Sequence, residues 1–160
     1  MAQAPDPKIV TDTHYRPGTI SHFVAFKVRS GVTLAQKRYI AQQFLALKRK
    51  CLRSGRPYII SLQAGAANSH EGVDQGKELG FIVTFKSEGD RNFYVGAPYL
   101  TDLRYLDPDH AKFKNLIASN VPSQYAAETH LFDGIPRPLL DTPIGPNGVF
   151  VFDFAARFAR

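Results

Sequence analysis

An α+β domain built in the order strand, helix, strand, strand, helix, strand is what this sequence predicts, and three observations carry the prediction. Short runs with two-residue alternation recur at 20–28, 58–64, 78–85 and 148–154. A 34–53 segment between the first two repeats its apolar residues every three to four positions. A second helix start, Asp107 followed by Pro108, stands between the last two. At 160 residues the chain has the length of one domain, of about 100–200 residues.

Residues 1–18 hold three prolines and no sustained periodicity, so they are expected to form an irregular arm ahead of a domain spanning 19–160. ISHFVAFKV (20–28) then places Ile20, His22, Val24 and Phe26 on one face and Ser21, Phe23 and Ala25 on the other. Both faces are partly apolar, so the strand needs cover on both sides, from helices and from a second subunit. Thr33 and Gln36 form a capping box that starts the first helix near Leu34. Ile40, Phe44, Leu47 and Cys51 are its buried stripe, and Gly55 offers a left-handed stop.

YIISLQA (58–64) is the second strand. The glycine-rich 65–77 stretch lacks the GxxxxGK pattern of a phosphate loop and is expected to be a plain connection. ELGFIVTF (78–85) is the third strand, and Ser87 with Asp90 opens a short helix through about Tyr94. An inserted rim follows over 95–106. Asp107 caps the next helix, with His110 in its first turn and Phe113, Leu116 and Ile117 facing inward. A long proline-rich loop is expected over 120–147, before GVFVFDF (148–154) closes as the fourth strand. This order is the ferredoxin-like βαββαβ pattern, a four-stranded antiparallel sheet with helices on one face. Leaving its other, apolar face in water costs about 25 cal/mol per Å². Face-to-face pairing into a homodimer, a dimeric α+β barrel, is therefore expected.

Composition removes several function classes. One cysteine, Cys51, leaves no intrachain disulfide and no multi-cysteine zinc set. His14, His70 and His130 lack metal-ligand spacing, so no metal is expected. No GxSxG elbow marks a serine nucleophile. The net charge of +6 is concentrated on the first helix, in Lys37, Arg38, Lys48, Arg49, Lys50 and Arg53, spaced as a solvated face. With no RNP-type aromatic signature on the sheet, no nucleic-acid partner is expected. No apolar run is long enough to span a bilayer and the opening MAQAPDPK is unlike a secretion signal, so a soluble cytoplasmic protein is expected.

Three segments, ISHFVAFKVRSGVTLAQK, ELGFIVTFKSEGDRNFY and DPDHAKFKN, together resemble the stress-responsive dimeric α+β barrel (Dabb) family. The first is similar to the family's opening strand and helix start, the second to its third strand and short helix, the third to its HPxHxxF helix start. The resemblance covers about residues 19–119 and 148–154. It implies an intertwined homodimer with a pocket between sheet and helices in each subunit. Some members are stress-linked proteins without a settled activity. The branch typified by olivetolic acid cyclase uses the pocket for cofactor-free aldol cyclisation of a polyketide.

Carried over residue by residue, the resemblance implies three catalytic groups: His22 on the first strand, Tyr94 at the end of the short helix, and His110 at the second helix start. The family's HP step is Asp107, Pro108 here, and VGAPYLTDLRY is inserted between Tyr94 and His110. Aligned without that gap, Leu100 would occupy the histidine position. Ring closure needs a base for an acidic carbon and a donor for the enolate oxygen in a dry pocket. Histidine, with an ordinary pKa of about 6.5, suits the first task. A helix N-terminus favours the neutral imidazole of His110. Tyr94 suits the second task, and His22 is expected to position either partner.

Tyr99 and Tyr105 in the rim are expected to line or cover the pocket, and Phe26, Phe44 and Ile40 to wall it for an apolar small-molecule substrate. The expected function is cofactor-independent cyclisation or rearrangement of a polyketide-like molecule in secondary metabolism, a lyase-type reaction. A noncatalytic stress-responsive dimer and a cofactor-independent oxygenase on the same fold are the alternatives.

Overall fold

Alternation in the first strand decides which side of the sheet becomes the interior. The computed structural model describes residues 3–118, 139–141 and 148–156. In it β1 (Pro17–Phe26) turns Ile20, His22, Val24 and Phe26 toward the helices, all buried. It is flanked by β5 (Leu79–Ser87) and β6 (Val149–Ala155), with β4 (Ser61–Ala66) outside β5. The sheet order is β4-β5-β1-β6 and every pair is antiparallel. The fold is the ferredoxin-like α+β arrangement that the element order predicts.

The capping box at Thr33 is present: the Gln36 amide donates to Thr33 Oγ1 at 3.2 Å and the Thr33 amide to Gln36 Oε1 at 2.8 Å. Helix α2 (Leu34–Lys50) buries Ile40, Phe44 and Leu47. It ends before the glycine expected to stop it, with Cys51 as its cap. Gly55 instead closes a small hairpin. Ser54 and Gly55, both at positive φ, join β2 (Leu52–Arg53) to β3 (Arg56–Pro57), as a two-residue turn requires. The strand expected from Tyr58 consequently begins three residues later, while Tyr58 and Ile59 are buried beneath the helices' side of the sheet.

Ser87 caps α3 (Glu88–Val95), its hydroxyl accepting from the Asp90 amide at 3.0 Å. Asp107 caps α4 (Pro108–Ala118), accepting from the amides of Asp109 at 2.8 Å and His110 at 3.3 Å. Its other oxygen accepts the Tyr58 hydroxyl at 2.5 Å. The core lies between α2, α4 and the sheet, where Phe44 stacks on Phe81 with ring centroids 3.9 Å apart. The opposite sheet face leaves Ile82, Phe150, Phe152 and Phe154 exposed.

One further expectation needs amendment. The arm is not irregular throughout: Asp6 caps a single helical turn, α1 (Pro7–Val10), with Pro7 at its first position. The 120–147 loop lies outside the described residues except at 139–141, where Leu139 and Leu140 are buried and Leu140 bridges to Val28. No described helix is long and apolar enough to cross a membrane.

Candidate active site

Strand parity aims His22 into the helix side of the sheet, where apolar neighbours leave it 4% exposed. An imidazole there needs a partner, and the neighbouring strand supplies one. Asp153 stands directly across from His22 in the β1–β6 register. His22 Nδ1 lies 2.6 Å from Asp153 Oδ1, and Arg91 Nη1 donates to Asp153 Oδ2 at 2.7 Å. Burial works to raise the Asp153 carboxyl, but the hydrogen bonds and charges of His22 and Arg91 outweigh it and hold it below the usual value. An ionised carboxylate only accepts, so Nδ1 of His22 carries the proton and Nε2 is left for chemistry when the ring is neutral.

Tyr94, 1% exposed at the end of α3, lies between the two histidines. Its ring meets His22 edge-on at 5.8 Å and stacks on His110 at 3.8 Å, the planes 11° apart. The three residues implied as catalytic therefore converge, with Tyr94 in the middle. His110 Nδ1 donates to the Tyr94 carbonyl at 2.6 Å, which leaves its Nε2 unprotonated in the neutral ring. One turn on, Lys114 Nζ donates to the carbonyls of Val95 and Ala97. α4 is thus tied to the C-terminal end of α3 by two side chains four residues apart.

The Tyr94 hydroxyl has no hydrogen-bond partner among the described residues. Burial, then the nearby Cys51 and Asp107, push this phenol well above 10, so it is a donor at neutral pH. Burial first, then the charge of Lys114, push His110 well below 6.5, against the opposing effect of its bond to Tyr94. Folding with a neutral His110 means that the unfolded chain binds the extra proton. Its contribution is complete above about pH 6.5 and is lost below that, at up to about 1.4 kcal/mol per pH unit, until the folded ring itself protonates. Urea unfolding of the wild type and His110→Phe between neutral and mildly acid pH should show this slope only in the wild type.

His22 also borders a cavity of about 370 Å³, with Asp153, Arg91, Tyr99, Tyr15 and Arg16 around it. Tyr94 and His110 do not line it; they stand behind His22. Tyr99, half exposed, is on the wall, whereas Tyr105 lies in a 3₁₀ turn (Leu103–Tyr105) beneath the Arg104 guanidinium. Phe26, Phe44 and Ile40 are packed into the core and border neither this cavity nor a larger one of about 570 Å³. That second cavity opens on the far sheet face between Phe23, Ile82, Phe150 and the 65–77 connection. Among the described residues no group of three or more His, Cys, Asp or Glu could hold a metal.

Asp153, Arg91, Tyr15 and Arg16 were not among the expected site residues. Asp153 had a signal: in GVFVFDF it alternates with Val149 and Val151, so a lone carboxylate sits on the strand face that carries apolar residues. The arm residues had none, because their positions depend on docking against α3.

The family model described as the stress responsive A/B barrel domain matches residues 20–130. No curated protein matches the sequence. Among solved structures, a protein from Arabidopsis thaliana is similar at TM-score 0.55 and 17% identity, over 88% of this chain and 98% of that one. A hydroxynitrile lyase from Passiflora edulis is similar at TM-score 0.56 and 14% identity, over 90% and 98%. A dimeric ferredoxin-like protein of unknown function from Jannaschia sp. CCS1 is similar at TM-score 0.52 and 14% identity, over 87% and 100%.

Proposed function

The chain belongs to the stress-responsive A/B barrel family, and from that premise we propose that it is a homodimeric, cofactor-independent acid/base enzyme that cyclises or rearranges a polyketide-like small molecule. The observation that carries this reading is the His22 imidazole, fixed through Nδ1 by Asp153 at the wall of a cavity, with the Tyr94–His110 stack behind it. A base held in one tautomer on a wall that also carries a phenol, Tyr99, is the equipment that enolate chemistry uses.

In this reading Nε2 of His22 takes a proton from a carbon between two carbonyls, and Tyr99, on the cavity wall, donates a hydrogen bond to the enolate oxygen. The enolate carbon bonds to a second carbonyl carbon, and the imidazolium returns its proton to the alkoxide. Tyr94 and His110, stacked behind the imidazole, hold it in place. The geometry thus favours His22 over His110 as the group nearest the substrate. A hydroxynitrile lyase among chains of the same fold fits a lyase-type role. Exposed Ile82, Phe150, Phe152 and Phe154 favour pairing of two sheets face to face, as does the dimeric chain from Jannaschia.

The near-complete burial of Tyr94 and His110 favours one other reading, a noncatalytic stress-responsive dimer in which the stacked rings are core. Deuterium exchange separates the two. The enzyme should speed α-proton exchange in 3-oxo thioesters in heavy water, followed by NMR, and convert longer poly-3-oxo thioesters to cyclic products. Exchange no faster than in buffer across such a series would leave the noncatalytic reading. Tyr99→Phe sharpens the test: removing the hydroxyl of this half-exposed side chain should change stability by no more than about 0.5 kcal/mol, while slowing turnover. Unchanged turnover in that variant removes the phenol from the mechanism.

A further inference from the structure

The N-terminal arm precedes residue 20, where the family match begins, yet it is anchored like a core element. Asn92 Nδ2 donates to the Val10 carbonyl at 2.8 Å, and Arg53 Nη2 to the Thr11 carbonyl at 2.7 Å. Amides in the first turn of α3, which the helix itself leaves unpaired, donate to the arm: Glu88 to the Arg16 carbonyl and Gly89 to the Tyr15 carbonyl, each at 3.1 Å. Only glycine permits this approach, because a Cβ on Gly89 would stand 1.7 Å from the Asp12 carbonyl oxygen.

This docking delivers Tyr15 and Arg16 to the cavity that His22 borders. Arg16 is held at φ +47°, in the left-handed region that favours glycine. A long cationic side chain is thus kept where glycine would be less strained, which points to a use for the side chain. The two cations on the cavity wall differ in how they are held. Arg91 is bound to Asp153 at 2.7 Å, whereas Arg16 meets Glu88 at 3.3 Å with its side chain 67% exposed. An exposed pair of that geometry is weak and readily exchanged.

We propose that Arg16 is a specificity-determining residue that receives a carboxylate of the substrate at the mouth of the His22 cavity, the incoming group replacing Glu88 as its partner. The proposal rests on the acid/base reading in taking this cavity as the substrate site. It extends that reading to a substrate class, a small molecule with an acidic end. Guanidinium and carboxylate form charge-assisted, geometrically specific pairs, which a neutral analogue cannot replace.

Benzoate and benzamide, alike in shape and different in charge, test it by NMR titration of the labelled protein at low salt. Benzoate should shift the His22 ring and Tyr15 amide signals saturably and bind about 10-fold more tightly than benzamide. Arg16→Gly, which relieves the backbone, should melt at or above the wild-type temperature and bind the two probes equally. Arg16→Lys should keep part of the preference. Equal binding by the wild type, absence of binding by both probes, shifts confined to residues away from His22, or a preference that survives Arg16→Gly would each overturn the proposal. Binding is read here without turnover. A protein that prefers benzoate but shows no α-proton exchange loses only the catalytic reading, and an active protein with no preference loses only this one.

Discussion

Replacing His22 with alanine is expected to slow α-proton exchange by about 100-fold or more, the usual worth of a positioned general base. The expectation follows from the hydrogen-bond inventory around the ring. Nδ1 is committed to Asp153 at 2.6 Å, so the other nitrogen is the one presented for chemistry, and Asp153 is in turn held by Arg91 at 2.7 Å. Asp153→Asn keeps an oxygen that can accept from Nδ1 but removes the negative charge that stabilises the imidazolium formed after proton abstraction. It should therefore slow the reaction while the far-ultraviolet circular dichroism stays native. Because the folded carboxyl of Asp153 lies below its unfolded value, its contribution to stability is present above about pH 4 and is lost as the pH falls through the folded value. At neutral pH the Asn variant lacks that contribution, so its melting temperature measured beside its rate separates slowed chemistry from unfolding. A His22→Ala protein that exchanges at the wild-type rate would remove this imidazole from the mechanism.

What the sequence revealed of this fold is what short-range physics sets. The Thr33–Gln36 box and the Asp107–Pro108 start fix helix ends within four residues of chain, and both stand where the sequence places them. Alternation in 20–28 and 78–85 assigns His22 and Phe81 to the same side of the sheet, and the register agrees. The misplaced boundary after α2 has a local cause as well. Gly55 is a suitable helix stop, but Ser54 also takes positive φ, and the pair turns a hairpin that ends the helix at Lys50.

Long-range docking was not readable in the same way. Arg16 reaches Glu88 across 72 residues and His22 reaches Asp153 across 131. No spacing rule connects such positions; only the closed sheet and the seated arm do. The convergence of His22, Tyr94 and His110 came from resemblance to a family, not from periodicity. Their geometry then distributes the exposure that the sequence could not, putting His22 at the cavity and the other two behind it.

Phe44→Ala is expected to cost about 3–5 kcal/mol, the range for emptying a large aromatic site in a packed core. Phe44 is 1% exposed, lies flat on Phe81 at 3.9 Å and meets Phe113 edge-on at 5.2 Å. Those neighbours come from β5 and α4, so no single element can relax to fill the void. Against a typical total stability of about 5–15 kcal/mol, the loss should lower the melting temperature by about 6–20 °C. The sequence suggested another role for this side chain, as a wall of the substrate pocket with Phe26 and Ile40. The two roles predict different measurements. A wall residue would weaken substrate binding with little change in melting, and the vacated space would accept a longer substrate. A core residue lowers the melting temperature while the folded fraction keeps its affinity, because the ring is remote from the cavity that His22 borders. Thermal unfolding together with KM for the same variant therefore decides whether ligand is held in the sheet–helix interior or beside the N-terminal arm.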